Sequence, residues 1–337
     1  MTKKICISGY YGFDNFGDET ILNVLVQNLK QFKQVSDITV FSSNPQKTAT
    51  GLDVKSIKSF DIKSVIKEIA ASDCLISGGG SLLQDKTSAK SLIYYLLLIV
   101  IAQLFKKKTI IFAQGIGPIN NKFLNYLTIN VLKRASYITV RDNNSLNLLK
   151  RNGINAQICS DPVWNINIPN TEKKDKIGIQ LRNFSTVTEN FLEELAICIN
   201  KFYSDKEICL LSLQNSQDIE VLNKFKNYLL NINPNINITL IENTANEKVI
   251  NDIAQMNTII AMRYHACLIA IKAGVKLLPI NYDIKVETLS KDFGLNYINM
   301  DSETEHTFCN FISSDTKYNQ EKINNLYFNF KELEEKL

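Results

Sequence analysis

Short apolar runs alternate with longer stretches of helical periodicity along this chain, and the alternation persists almost from end to end. In the first half, strands are predicted at 4–8, 38–41, 74–77, 109–113, 137–140 and 156–159. Helices are predicted between them at 18–32, with Ile21, Leu22, Leu25 and Leu29 on one face, at 122–134, and up to Lys150 before Gly153. A Lys-dotted amphipathic stretch follows the second strand and ends near Ala71. Residues 165–176 (NINIPNTEKKDK) are polar, contain a proline and lack apolar periodicity, which marks a linker. Beyond it, strands at 177–181, 208–213, 236–241, 258–261 and 276–280 alternate with helices at 191–203, 218–230, 248–256 and 264–273. Such succession predicts an α/β fold, with parallel sheets covered by helices on both faces. Two domains follow, 1–165 and 176–313, and residues 318–337 carry Ile323, Leu326, Tyr327, Phe330 and Leu333 at the spacing of a C-terminal packing helix.

Composition narrows the classes. The chain has 337 residues, 45% hydrophobic and 21% charged, as in ordinary globular proteins. A net charge of +4, spread thinly, gives no footprint for nucleic acid and permits only a loose peripheral attraction to an anionic membrane. The 7 cysteines are odd in number and show no C-x-x-C pair, and the opening MTKKICISGYYG predicts no signal peptide. A reducing, cytoplasmic location without a metal site is expected. Residues 92–105 (LIYYLLLIVIAQLF) are apolar almost all round but shorter than the ~20 residues of a spanning helix. They predict a buried core helix, or else one that leans on a bilayer or a partner.

Candidate chemistry concentrates at 258–285. There a strand ends at Arg263, Tyr264 and His265, a helix follows to Gly274, and a second strand ends at Tyr282, Asp283 and Lys285. In a parallel sheet, ligands bind beyond the carboxyl ends of strands, and a helix start there favours anions. Among 38 Lys+Arg only five are Arg, so a retained Arg points to a need for a planar, forked donor. One of the 2 His, His265, lies beside such an Arg. Arg182, at the end of the second domain's first strand, is positioned to join them. His306, among acidic neighbours, is expected at the surface, and Trp164 in packing. Arg141 with Asp142 reads equally as a structural ion pair or as functional.

In the first half, three strand ends carry glycines: GYYGFDNFGDE from Gly9, GGGSLLQD from Gly78, and QGIGP from Gln114. The first has neither dinucleotide nor P-loop spacing. The first, with Tyr11, Asn15 and Asp18, suits a polyhydroxylated ligand. Together with Gly79, Gly80 and Gln114 these residues are the candidates for holding such a ligand.

Several segments in combination resemble the polysaccharide pyruvyl transferases: GYYGFDNFGDETIL, ISGGGSLLQD, FAQGIGP, RDNNSLNLL, DPVW, MRYHACLIAIKAGV and NYDIKV, spread from Gly9 to Val286. The resemblance implies two Rossmann-like domains of the GT-B glycosyltransferase architecture, with the active site in the interdomain cleft. It implies transfer of a pyruvyl group from phosphoenolpyruvate to a sugar of a cell-surface glycan, giving a cyclic ketal and phosphate. No cofactor is implied beyond phosphoenolpyruvate as donor substrate. The acceptor is a glycan or lipid-linked saccharide, held by the N-terminal domain. Matching motifs place the donor-binding roles on Arg182, Arg263 and Lys285, and the acid/base role on His265. Tyr264 replaces the usual Leu, Phe184 an expected Trp, and Ile284 a common Pro. Two other functions fit the same pattern. One is a nucleotide-sugar glycosyltransferase, with Glu242 or Asp283 facing the donor; the other is a catalytically silent glycan or anion sensor.

Overall fold

The computed structural model of the chain describes residues 2–337 apart from 87, 244, 301–303 and 316. Two compact units emerge: Met1–Ile166 with Leu326–Leu337, and Asn167–Asn325.

The first unit opens with β1 (Lys3–Ser8), α1 (Phe16–Leu29), β2 (Val35–Ser42), α2 (Pro45–Leu52), β3 (Lys55–Lys58) and α3 (Ile62–Ala71). It continues through β4 (Cys74–Ser77), β5 (Gly80–Leu83), α4 (Ala89–Leu104), β6 (Lys108–Ile116) and α5 (Lys122–Leu132). It closes with β7 (Tyr137–Val140), α6 (Asn143–Arg151), β8 (Gln157–Ile158) and a 3-10 turn at Pro162–Asn165. The sheet runs β3-β2-β1-β4-β6-β7-β8, all parallel, with β5 pairing β6 off the main path. Ile5, Ile7, Ile76, Ile110 and Phe112 are fully or almost fully buried on its central strands, as expected where helices cover both faces. Trp164 is buried in the 3-10 turn, which packs on α1.

The second unit contains β9 (Lys174–Gln180), α7 (Glu189–Tyr203), β10 (Glu207–Leu211), α8 (Asn215–Ile232), β11 (Ile238–Ile241) and α9 (Asn246–Ala254). Then come β12 (Met256–Ala261), α10 (Tyr264–Lys272), β13 (Lys276–Asn281), α11 (Ile284–Asp292), β14 (Ile298–Asn299), α12 (Thr304–Ser313) and α13 (Gln320–Asn325). Its parallel sheet runs β11-β10-β9-β12-β13-β14. In both units the first strand lies inside the sheet and the order reverses beside it, the doubly wound arrangement of Rossmann-type folds.

Several expectations shift. Short β3 and β5 escape the pattern, β3 because it reads KSIK and is half exposed, β5 because it lies inside a glycine-rich run. Strand β6 does not stop at Ala113 but continues to Ile116, through a register shift at which Ala113 takes φ 46°. The tail is not one packing helix. It breaks between α13 and α14 (Phe330–Lys336), where Asn329 caps the new helix and Phe328 and Phe330 pack on Phe112. Residues 174–176, expected in the linker, already belong to β9.

Helix α4 departs most from its expected burial. It buries Leu92, Tyr95, Leu98, Ile99 and Ala102, yet Ile93 is 51%, Leu97 45% and Leu104 75% exposed. No helix among the described residues is long and apolar enough to cross a membrane.

Candidate active site

In the second unit, the sheet order reverses between β9 and β12, the place where doubly wound folds bind ligands beyond the strand ends. Gln180, Ala261 and Pro279 lie in one row across β9, β12 and β13. Arg182 and Arg263 each follow that row by two residues, so they leave adjacent strands at the same level. Arg263 is the N-cap residue of α10 and is buried. Its backbone N–H donates to Gln180 Oε1 at 2.7 Å. Its Nη2 donates to Asp218 Oδ1 at 2.5 Å, its Nε donates to Asp218 Oδ2 at 2.9 Å, and Nη2 also reaches Gln214 Oε1 at 3.3 Å. Asp218, fully buried at the start of α8, additionally accepts the backbone N–H groups of Leu213 and Gln214 at 2.9 and 3.0 Å. A bidentate pair so enclosed fixes the plane of the guanidinium.

Arg182 is held differently. Its guanidinium carbon lies 6.0 Å from the centroid of Phe184 and 5.9 Å from that of Tyr282, two rings that meet edge to face at 5.2 Å. Its Nε is buried and has no hydrogen-bond partner. A buried donor of this kind is uncommon. Burial raises the Tyr282 hydroxyl, Asp283 adds to the rise, and Arg182 and Arg263 oppose it. Both arginines therefore act electrostatically on one phenol.

His265 is the second residue of α10, partly buried, with its ring edge-on to Tyr264 at 5.2 Å and 79°. Lys285 is the second residue of α11, partly buried, and its backbone N–H donates to the N-cap Asp283 at 2.9 Å. The fold thus gathers Arg182 and Arg263 around Tyr282, sets His265 at the same helix start as Arg263, and places Lys285 on the corner after the neighbouring strand. Phe184, where a Trp was expected, supplies one wall of the Arg182 setting. Glu242 is exposed, and Asp283 Oδ1 serves as a helix cap, accepting from Lys285 and Val286.

Asp218, Gln180 and Gln214 were missed by sequence reasoning. Gln180 carried a usable signal, as a polar residue ending an apolar strand. Asp218 read only as an acid in a helix's first turn, because nothing linear ties it to an Arg 45 residues away.

The first unit has a corner at the equivalent place, beyond β1 and β4, but its residues behave otherwise. Tyr11, expected to meet an acceptor, is fully buried, and its hydroxyl has no hydrogen-bond partner. The ring occupies the space that a Cβ on Gly78 would fill, 1.9 Å from the hydroxyl oxygen. Gln114 is likewise fully buried, donating to Ser77 Oγ at 2.8 Å and to the Gly78 carbonyl at 2.7 Å. Both side chains brace the corner from inside and present nothing to a glycan. The glycines serve the same packing: a Cβ on Gly79 would meet Ile21 at 2.8 Å, and one on Gly80, at φ +101°, Asp18 at 2.7 Å. Asn15 and Asp18 remain partly exposed, with Asn15 capping α1 through the N–H of Gly17 at 3.1 Å.

Glu19 was also overlooked as chemistry. It accepts the Gly12 N–H at 2.7 Å, and burial, reinforced by Asp18 and Asp14, pushes its carboxyl up to about 7. Arg141 pairs with Asp161 at 2.5 Å and not with Asp142, which caps α6. His306 is exposed on α12, as expected. A groove of about 500 Å³ lined by Lys4, Val35, Asp37 and Lys55 lies along the starting residues of β1 and β2, away from these strand ends.

The family model described as "Polysaccharide pyruvyl transferase" matches residues 15–284. No curated protein sequence matches significantly. Among solved structures, the chain is similar to UDP-GlcNAc 2-epimerase from Methanocaldococcus jannaschii, with TM-score 0.68 and 12% identity over 99% of this chain and 98% of that one. A glycosyltransferase from Rickettsia africae ESF-5 gives 0.63 and 16%, over 99% and 98%. Anabaena Alr3699/HepE, solved with UDP-glucose, gives 0.62 and 11%, over 92% and 90%. At these identities the likeness fixes the fold, which is of the GT-B type.

Proposed function

Because the chain belongs to the polysaccharide pyruvyl transferase family, we propose that it transfers a pyruvyl group from phosphoenolpyruvate to a sugar of a cell-surface glycan. The products are a cyclic pyruvate ketal and inorganic phosphate. The observation that carries this reading is Arg182, whose buried Nε lacks an acceptor, while a second guanidinium, on Arg263 at the end of the adjacent strand, is held rigid by Asp218. Phosphoenolpyruvate brings a phosphate and a carboxylate, and forked donors match either anion. Lys285 adds a third cation from the adjacent corner, as a point charge.

The reaction then needs one proton delivered and two hydroxyls added. A proton goes to the methylene carbon of the enol phosphate while a sugar hydroxyl bonds the neighbouring carbon, giving a tetrahedral centre that carries both phosphate and sugar oxygens. Phosphate leaves with its bonding electrons, and a second hydroxyl of the same sugar takes its place. Two hydroxyl protons are released against one consumed, and phosphate leaves as the acceptor of the other. His265 is the group assigned to deliver and recover the proton, because imidazole does so near neutral pH. Asn15 and Asp18 are the acceptor-side residues that retain access to solvent.

The test is phosphate release from phosphoenolpyruvate in the presence of candidate oligosaccharides, with mass spectrometry of the sugar for a gained ketal. His265→Ala should lower kcat about 10²–10⁴-fold with folding intact. Full turnover in that variant would remove His265 from the mechanism. Nucleoside diphosphate release from a sugar nucleotide, without phosphate release, would replace the whole reading by the glycosyltransferase one.

A further inference from the structure

Helix α4 reads as apolar all round, yet the fold buries only one side of it. Ile93, Leu97 and Leu104, at i, i+4 and i+11, form an exposed stripe at 51%, 45% and 75%, continued by Phe105 at 45%. Helix α5 packs beside α4, tied to it by Gln103 Nε2 donating to the Val131 carbonyl at 2.9 Å. Its own outward residues, Phe123 and Tyr126 at i and i+3, are 65% and 66% exposed. Six large apolar or aromatic side chains therefore stand in solvent on two adjacent helices, more than scattered surface residues account for.

The charge around them has one sign. From Lys86 to Arg134 the sequence contains eight Lys or Arg and no Asp or Glu. Lys90 precedes Ile93 by three residues and so shares its face of α4. Lys122 precedes Tyr126 by four on α5, and Lys106 follows Phe105 directly; all three lysines are exposed. Protein–protein interfaces are depleted in Lys, whereas an apolar stripe bordered by Lys matches the acyl region and anionic headgroups of a bilayer. At 16 residues α4 is too short to span, so the matching geometry is a helix lying in the interface.

We propose that the exposed faces of α4 and α5 form a docking surface for an anionic lipid bilayer. Apolar side chains enter the headgroup boundary, and lysines contact lipid phosphates. The surface uses no residue of the candidate active site, so it stands or falls independently of the transferase reading. Attachment of this kind would hold the enzyme where a membrane-borne substrate is presented.

Flotation of the full chain with vesicles measures it. Vesicles of phosphatidylcholine mixed with phosphatidylglycerol should carry the protein up the gradient, vesicles of phosphatidylcholine alone should not, and added salt should weaken binding. Replacing Lys90 and Lys106 by Ser should reduce partitioning about tenfold. Leu97→Asp with Leu104→Asp should reduce it about a hundredfold, and the exposure of both sites leaves the unfolding midpoint unchanged. No flotation with the anionic vesicles would overturn the proposal, as would equal flotation of the aspartate variant. A lipid-free dimer in sedimentation, dispersed by that variant and indifferent to vesicles, would assign the surface to a second copy instead.

Discussion

The two units use one topology and give its active corner opposite chemistry. In each, the chain leaves the first strand beside the point where sheet order reverses, and polar residues gather there. In the second unit that corner holds two arginines, one locked by Asp218 and one with an unanswered buried donor. In the first it holds Asp14, Asp18 and Glu19 around a loop sealed from beneath by Tyr11, and desolvation pushes the Glu19 carboxyl up. Sheet topology decides where a site can lie. Side chains decide the charge it presents: two arginines in one unit, three carboxylates in the other.

Removing the lock tests the contrast most severely. Asp218→Ala leaves Arg263 buried without its counter-charge and should destabilise the protein by about 3–5 kcal/mol, read from the urea unfolding midpoint. Unchanged stability would mean that Arg263 is solvated and the cationic corner is not preorganised. Next in size, Arg182→Lys keeps the charge but loses the planar fork between Phe184 and Tyr282, and should lower kcat/KM for phosphoenolpyruvate about a hundredfold. Loss no greater than that of a surface Lys variant would place the anion elsewhere.

The first unit's corner is tested by pH. Burial raises the Glu19 carboxyl to about 7 from its ordinary 4.5, so the folded state binds the proton more tightly than the unfolded chain does. Its contribution is fully present below about 4.5 and is lost as pH rises through about 7, some 2 kcal/mol after allowance for screening. Glu19→Gln, which keeps an acceptor for the Gly12 N–H, should flatten that slope and be the more stable protein at pH ~8. Parallel pH profiles for the two proteins would show that Glu19 is already ionised in the fold. Smallest is the seal. Gly78→Ala should cost about 1–2 kcal/mol through collision with the Tyr11 hydroxyl, and Tyr11→Phe should recover most of it. Thermal unfolding of the single and double variants distinguishes this from a simple backbone effect.

Much of the frame was legible because parallel strands buried on both faces write continuous apolar runs, and helices between them write a 3.6-residue period. That was enough to place Arg182, Arg263, His265 and Lys285 at strand ends, and the motifs around them led to the family. It misjudged Tyr11, Gln114 and the glycines, because a polar loop rich in Tyr and Gly has the same composition whether it faces a sugar or plugs itself.

Helices α10 and α4 draw the boundary between the two kinds of information. Both are apolar on all sides in sequence. The run Ala266–Ile271 of α10 is wholly buried between neighbours, while α4 leaves Leu104 three-quarters exposed. The sequence by itself determined the alternation of most strands and helices and placed Arg182, Arg263, His265 and Lys285 at strand ends. Only the folded structure decided which face of an apolar helix is covered, which carboxylate answers Arg263, and which carboxyl desolvation shifts upward. Those outcomes depend on neighbours brought from tens of residues away, and a local pattern carries no record of distance in space.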